Sequence, residues 1–254
     1  MTRRLVGIVT GGSSGIGRAI ARAMVMRDYD VIVVGRNPQK LDETLGELND
    51  LNTSARCIAA PLNVGDPDDM ASLANLCVAE FGGVDVLVAS AGLGKTDGQG
   101  SRLPTATRDL PFAEWEAVMS VNLHGVFLSN TAVIPIMKQQ GSGTIVNISS
   151  STTPNGLRGQ PLAPAYCASK FAMSQFTREL ADEVAEDGIS ISAVFPGSVE
   201  TPLISNTLLD SAFGGRISAD SFAAAVMDII DLGEAVELPD PHLLPMPTRA
   251  RETI

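Results

Sequence analysis

The strongest constraint on this chain is a repeated alternation. Short apolar runs rich in Val and Ile occupy residues 5–10, 31–35, 56–62, 84–90, 144–149 and 189–195. Between them lie stretches with helical periodicity at 16–28, 38–51, 67–81, 112–140 and 165–186. The runs do not alternate polar with apolar residues, so each reads as a strand buried on both faces, as in a parallel sheet. Strand and helix in repetition predict an α/β fold, a doubly wound parallel sheet with helices on both faces. At 254 residues the chain suits one such domain, and it carries no internal repeat or low-complexity segment. Pro38 and Asp66 mark helix starts, the first as an N1 proline and the second as an N-cap. The 112–140 helix is expected to bend near Asn122.

Ligands of such sheets bind at the carboxyl ends of the strands. Three long loops follow those ends or nearly so: residues 93–111, 153–164 and 202–218, the last read as a substrate lid carrying Leu203, Ile204, Leu208, Leu209 and Phe213. Asp and Glu number 29 against 18 Lys and Arg, a net charge of −11, which argues against nucleic acid or an anionic membrane as partner. Cys57, Cys77 and Cys167 are scattered, and the histidines are His124 and His242, so neither a metal site nor a disulfide framework is expected. Lone thiols suit a reducing cytoplasm. Arg3 and Arg4 before an apolar run resemble a leader, but the run is short and ends in Gly11 and Gly12, so it is read as the first strand. No 18 consecutive apolar residues occur, so no spanning helix is expected.

Between the first strand and first helix lies Thr10-Gly11-Gly12-Ser13-Ser14-Gly15-Ile16-Gly17. Glycines permit a tight turn and close approach of a pyrophosphate, and the helix N-terminus offers N–H groups and a positive dipole end. The alternative is an ordinary strand-to-helix loop. An acid ending the second strand would bind the ribose hydroxyls of NAD. Here Gly35-Arg36 stands instead, and an arginine can pair with a 2′-phosphate. That favours NADP, with NAD the less favoured cofactor, unless Arg36 merely caps a solvated loop.

Tyr166 and Lys170 sit at i and i+4 on one face of a helix. With only two tyrosines in the chain, chance seldom gives this spacing. A phenol is a poor acid or base at neutral pH, and a nearby ammonium draws its pKa toward the working range. A tyrosine lying along a lysine stem is the plainer alternative. The fifth strand ends in Ser149-Ser150-Ser151, where a hydroxyl can reach a substrate oxygen or simply start a turn. Asn122 inside an apolar helix is either a kink or a holder of water.

With these motifs in view, the chain resembles the short-chain dehydrogenase/reductase family from about residue 4 to 203. Thr10-Gly11-x-x-x-Gly15-Ile16-Gly17 matches that family's cofactor motif, and Asn122, Ser150, Tyr166 and Lys170 match its catalytic tetrad in order. The resemblance implies a single Rossmann-type domain that moves hydride between a nicotinamide and a carbonyl or secondary alcohol. Tyr166 would be the general acid/base, Lys170 would lower its pKa and bind ribose, Ser150 would hold the substrate oxygen, and Asn122 a relay water. Gly11, Ser13, Ser14, Gly15, Ile16, Gly17, Arg36, Asn63, Val64, Ala91, Gly92, Pro196, Gly197, Val199 and Thr201 would line the cofactor, with Tyr166 and Lys170.

Departures from the pattern are Asn63 for an aspartate, Ser90 for an asparagine, a longer span from Ser150 to Tyr166, and His242-Leu243-Leu244-Pro245-Met246-Pro247 in place of the usual ending. The ending leaves a seventh strand open, and Ser149, Ser151 and Thr153 compete with Ser150. The expected partner is a medium-sized, partly apolar ketone or secondary alcohol, with Leu103, Pro104 and Leu157 as an apolar wall and Lys95, Arg102, Arg108 or Arg158 available to an anion. Association as a homodimer or homotetramer is expected through the helices at 112–140 and 165–186, with Phe127, Phe171, Met173 and Phe176 as surface candidates that ordinary core packing explains equally well. A non-catalytic nucleotide sensor would share the fold but needs no acid/base pair. A sugar-nucleotide epimerase needs a larger C-terminal region, and a methyltransferase does not need Tyr166 and Lys170.

Overall fold

The six apolar runs become strands of one seven-stranded sheet in the computed structural model, which describes residues 3–51, 53–94, 106–151, 163–203, 215–233, 236, 238 and 240–246. The strands are β1 (Val6–Thr10), β2 (Asp30–Gly35), β3 (Cys57–Pro61), β4 (Val86–Ala89), β5 (Gly143–Ile148), β6 (Ile189–Pro196) and the short β7 (His242–Leu243). Their order is β3-β2-β1-β4-β5-β6-β7, and every pairing is parallel. β7, left open by the sequence, pairs only Phe195 with His242 and Pro196 with Leu243.

Packing explains the lack of alternation. Successive strand side chains point to opposite faces, and here both faces are covered. Ile8, Ile32, Leu87 and Ile145 enter one core with Met70, Leu73, Val133, Met137 and Leu180. Their neighbours Val9, Val33, Val88 and Val146 enter the other, with Ile20, Met24, Leu41, Phe222 and Val226. Each strand must therefore be apolar at consecutive positions.

The helices are α1 (Gly15–Met26), α2 (Pro38–Asn49), α3 (Pro67–Phe81), α4 (Phe112–Met119), α5 (Gly125–Gln140), α6 (Pro164–Val184) and α7 (Ala219–Leu232). Asn37 caps α2 through Lys40 N–H, and the Asp66 carboxylate caps α3 through Asp68 and Asp69. The stretch from 112 to 140 is divided by a π-turn at Ser120–His124, so the bend falls where Asn122 interrupts the apolar pattern. α7 has no counterpart among the helices expected from sequence. Its signal lies in Ser218, which caps Ser221 N–H, and in Phe222, Ala223, Val226, Met227 and Ile230, all buried.

Phe112–Gln140 holds an 18-residue window of mean hydropathy 1.4, long and apolar enough to cross a membrane by composition. Counting consecutive apolar residues misses it because Asn122, His124 and Asn130 break the run. Val118, Val126, Val133 and Met137 from this stretch are core residues of the fold, which accounts for its apolar character.

Candidate active site at the carboxyl edge of the sheet

β1 and β4 are neighbours whose connections leave in opposite directions, and the crevice between their carboxyl ends is where such sheets bind ligands. The turn after β1 closes on the turn after β4. A Cβ on Gly11, whose φ is +66°, would lie 2.7 Å from the Ala91 Cα, and one on Gly17 would lie 2.4 Å from the Gly11 carbonyl oxygen. Glycine is thus required at both positions by contact with backbone. Thr10 Oγ1 accepts the Ala91 N–H at 3.2 Å and fixes the two turns together. Ser14, at the N-cap of α1, makes no side-chain cap bond.

A cavity of about 400 Å³ opens over this crevice. Gly11, Ser13, Ser14, Gly15, Ile16 and Gly17 form one wall, with Arg36 at its exposed rim just beyond β2. Val64, Ala91 and Gly92 form the next, and Pro196, Gly197, Val199 and Thr201 the far side. Asn63 does not line it. Its side-chain oxygen accepts Gly65 N–H at 3.2 Å and its own N–H bonds the Asp69 carboxylate at 2.8 Å, so it shapes the turn that presents Val64.

The other end of the cavity carries the hydroxyls and the amine. Three neighbouring serines have different fates. Ser149 Oγ meets Ser174 Oγ at 2.7 Å, and Ser151 Oγ donates to the Phe195 carbonyl at 2.9 Å. Ser150 bonds the Tyr166 phenol, and both line the cavity. Lys170, one turn further along α6, donates to the Ile148 carbonyl at 2.7 Å. Tyr166 and Lys170 are 8% and 4% exposed, so desolvation governs both. It pushes the phenol up, against a downward pull from the Ser150 bond, and pushes the Lys170 amine down to about 8. The downward pull on the phenol comes from the Ser150 bond rather than from the Lys170 amine.

Asn122 lies behind the cavity wall. Its Oδ1 accepts Leu93 N–H at 2.7 Å, while Nδ2 donates to the Leu93 carbonyl and to Ser169 Oγ, each at 3.0 Å. Ser169 in turn donates to the Tyr166 carbonyl at 2.8 Å. Asn122 thus ties the loop after β4 to the turn of α6 bearing Tyr166.

Sequence reasoning missed Gly35, Leu62, Leu93, Gly94, Val121, Ile148 and Ser198, all of which line the cavity. They are small or apolar residues at strand ends, in the loop after β4 and, for Val121, in the π-turn, without a chemical signature. Of the proposed substrate-contacting residues, Lys95, Arg102, Leu103, Pro104, Leu157 and Arg158 lie outside the described residues, as do Thr153 and positions 204–214 of the proposed lid. Pro202 and Leu203 line the cavity. Arg108 is exposed and pairs with Asp109 at 3.4 Å. Among the association candidates, Phe127 and Phe171 are exposed, whereas Met173 is fully buried in a cluster with Ala89 and Val126, which is the core alternative for it. Phe176 meets the Phe127 ring edge-on, with centroids 5.8 Å apart.

Comparison with known proteins agrees with this geometry. The family model for short chain dehydrogenases matches residues 6–211. The chain is 31% identical over 221 residues to the D-beta-hydroxybutyrate dehydrogenase of Rhizobium meliloti, covering 87% of this chain and 81% of that protein. It is 33% identical over 202 residues to a 3-oxoacyl-[acyl-carrier-protein] reductase of Synechocystis, covering 79% and 76%. Among solved structures, a single-substitution variant of actinorhodin polyketide ketoreductase with NADPH superposes with a TM-score of 0.81 at 31% identity, over 95% of this chain and 96% of that one. The chain belongs to the short-chain dehydrogenase/reductase family and is an NAD(P)-dependent oxidoreductase, transferring hydride between a nicotinamide and a carbonyl or secondary alcohol.

Proposed function

We propose that this chain is an NADP-preferring reductase of medium-sized, partly apolar ketones, or the matching secondary-alcohol dehydrogenase, with Tyr166 as its general acid/base. The observation that carries the reading is the Tyr166 phenol, buried at the cavity wall, bonded to Ser150 and one helical turn from the Lys170 amine. The glycine turn fits a dinucleotide pyrophosphate, since Gly11 to Gly17 line the cavity with small residues at the α1 N-terminus. A bound nicotinamide cofactor supplies or takes up the hydride.

The protein's own groups manage the proton and the geometry. Ser150 holds the substrate oxygen beside Tyr166, which donates its phenolic proton to that oxygen in reduction or removes the alcohol proton in oxidation. Lys170, held by Ile148, keeps two N–H donors for a ribose and offsets phenolate charge when protonated. Asn122 serves by holding the loop and α6 together, since its amide is spent on Leu93 and Ser169. Val64, Ala91 and Gly92 would flank the adenosine, and Pro196, Gly197, Val199 and Thr201 the nicotinamide side. Asn63 contributes by presenting Val64.

Arg36 at the rim, with no acid at the end of β2, supports NADP over NAD. The segment 202–218 acts as the substrate lid, beginning at Pro202 and Leu203 on the cavity wall. Exposed Phe127 and Phe171 on adjoining helices support a homodimer or homotetramer. Three free cysteines, two of them with thiols pushed up to about 11 (Cys57) and about 12 (Cys77), suit a reducing cytoplasm.

The test is calorimetric titration with NADPH and NADH, followed by a panel of ketones scored by NADPH oxidation. NADPH is expected to bind at least about tenfold more tightly, with the margin lost in Arg36→Ala. Equal affinities, or a margin that survives the substitution, would overturn the NADP assignment. A panel without turnover would overturn the ketone reading.

A further inference from the structure

Three consecutive residues at the end of β5 are tied by hydrogen bonds to α6. Asn147 Nδ2 donates to Thr177 Oγ1 at 3.0 Å. The Ile148 carbonyl accepts from Lys170 Nζ at 2.7 Å. Ser149 Oγ meets Ser174 Oγ at 2.7 Å, and Ser174 Oγ donates onward to the Lys170 carbonyl, also at 2.7 Å. Every side chain in this set is buried.

The spacing matters. Tyr166, Lys170, Ser174 and Thr177 recur every three or four residues and so share the face of α6 turned to β5. Apolar contacts tolerate small sliding of a helix over a sheet. Hydrogen bonds near 2.7 Å do not, because their strength falls steeply with length and angle. A small slip of α6 along β5 would carry Tyr166 away from Ser150. Of the three ties, the one through Ser174 holds the residue next to Ser150: it grips Ser149 on the strand side and the backbone of Lys170 on the helix side. Ser174 itself is not part of the cavity wall.

We propose that Ser174 is a positioning residue, which acts through Ser149 and the Lys170 carbonyl to hold α6 in the register that brings Tyr166 to Ser150. This rests on the reading of Tyr166 and Ser150 as the reacting pair. A mere core hydroxyl would support stability alone. A positioning hydroxyl must also affect the surroundings of the Tyr166 phenol.

The chain has only two tyrosines, Tyr29 and Tyr166, so protein labelled with 3-fluorotyrosine gives two fluorine resonances, and Tyr29→Phe identifies which is which. In Ser174→Ala the Tyr166 resonance is expected to shift, and its titration to move to higher pH as the Ser150 bond weakens, while Tyr29 stays in place. Ser174→Cys, which keeps a weak donor at similar volume, should lie between, and it carries the test should the alanine variant fold poorly. Ser149→Ala should move the resonance the same way, and the double variant should move it no further. On a ketone from the panel, Ser174→Ala is expected to lower kcat about tenfold and leave the KM for NADPH unchanged. A fall in Tm with an unmoved Tyr166 signal would overturn the proposal, as would additive shifts in the double variant. The signal belongs to Tyr166 whether or not turnover depends on it. Turnover that survives Tyr166→Phe and a signal that survives Ser174→Ala are therefore separate failures.

Discussion

The two halves of the sheet are held by different physics. Around β1, β2 and β3 the buried polar side chains are few, chiefly Thr10 and Thr44, and the turn after β1 depends on glycines pressed against backbone. Around β5, β6 and the helices α5 and α6 the interior contains Asn122, Asn130, Asn147, Ser149, Ser151, Ser169, Lys170, Ser174, Thr177 and Ser198. On the proposed reading, the first half offers backbone N–H groups to a phosphate. The second aims a phenol and a hydroxyl at one oxygen with an amine close by, and directional bonds do that where apolar packing alone would not.

If that contrast is real, the halves should fail differently. Gly17→Ala is expected to have the largest effect, because its Cβ would lie 2.4 Å from the Gly11 carbonyl oxygen and force α1 off the turn. A loss of about 3 kcal/mol, or about 100-fold in NADPH affinity by calorimetry, is expected. Retained affinity would show that the close approach is dispensable.

Asn147→Leu, near in size, should come next. It strands the Asn130 amide, which exchanges bonds of 2.9 and 3.0 Å with Asn147, and takes one bond from the Thr177 hydroxyl, which keeps its donation to the Met173 carbonyl at 2.8 Å. A cost of about 3 kcal/mol in urea unfolding is expected, against about 1 kcal/mol for Ile8→Val in the other half. Similar costs for the two would dissolve the contrast.

Lys170 gives a pH signature. Its amine sits at about 8 in the fold, below its ordinary 10.5, so between these values the unfolded chain binds more protons than the folded one. Stability should therefore rise with pH across that window, recovering up to about 3 kcal/mol held against the fold at neutral pH. Urea midpoints from pH 7 to 9.5 should climb relative to Lys170→Met, and parallel curves would contradict the burial of a titrating amine. The smallest effect on the fold belongs to Phe127→Glu combined with Phe171→Glu. Light scattering should show a smaller species with Tm almost unchanged, and an unaltered mass would remove these rings from the interface.

The same contrast decides what the sequence can reveal. Six strands are legible because burial on both faces leaves an unbroken apolar run, and the glycine turn is legible because backbone contact excludes every side chain. The bend at Asn122 is legible as a polar residue in an apolar helix. Met173 reads equally as a surface candidate or a core residue, because helical spacing alone does not say which face meets the core, and the fold buries it. The choice of Ser150 over Ser149 and Ser151 is legible only through the family resemblance, since physically it depends on Ser174 and Phe195 arriving from other elements. Ser169, Ser174 and Asn130 give no signal for the same reason: each is an ordinary polar residue until its partner is known. α7 escapes the sequence reading although Ser218 and the spacing of Phe222, Val226 and Ile230 announce it.

The central claim is that proton transfer runs through the phenol of Tyr166 while the cofactor is held chiefly at the glycine turn, and Tyr166→Phe tests it most directly. NADPH affinity should stay within about twofold of the parent, because removing one hydroxyl leaves the glycine turn untouched, while turnover on an active ketone falls about 1,000-fold. Turnover within tenfold of the parent, at unchanged NADPH affinity, would contradict the assignment and place the acid/base elsewhere in the cavity.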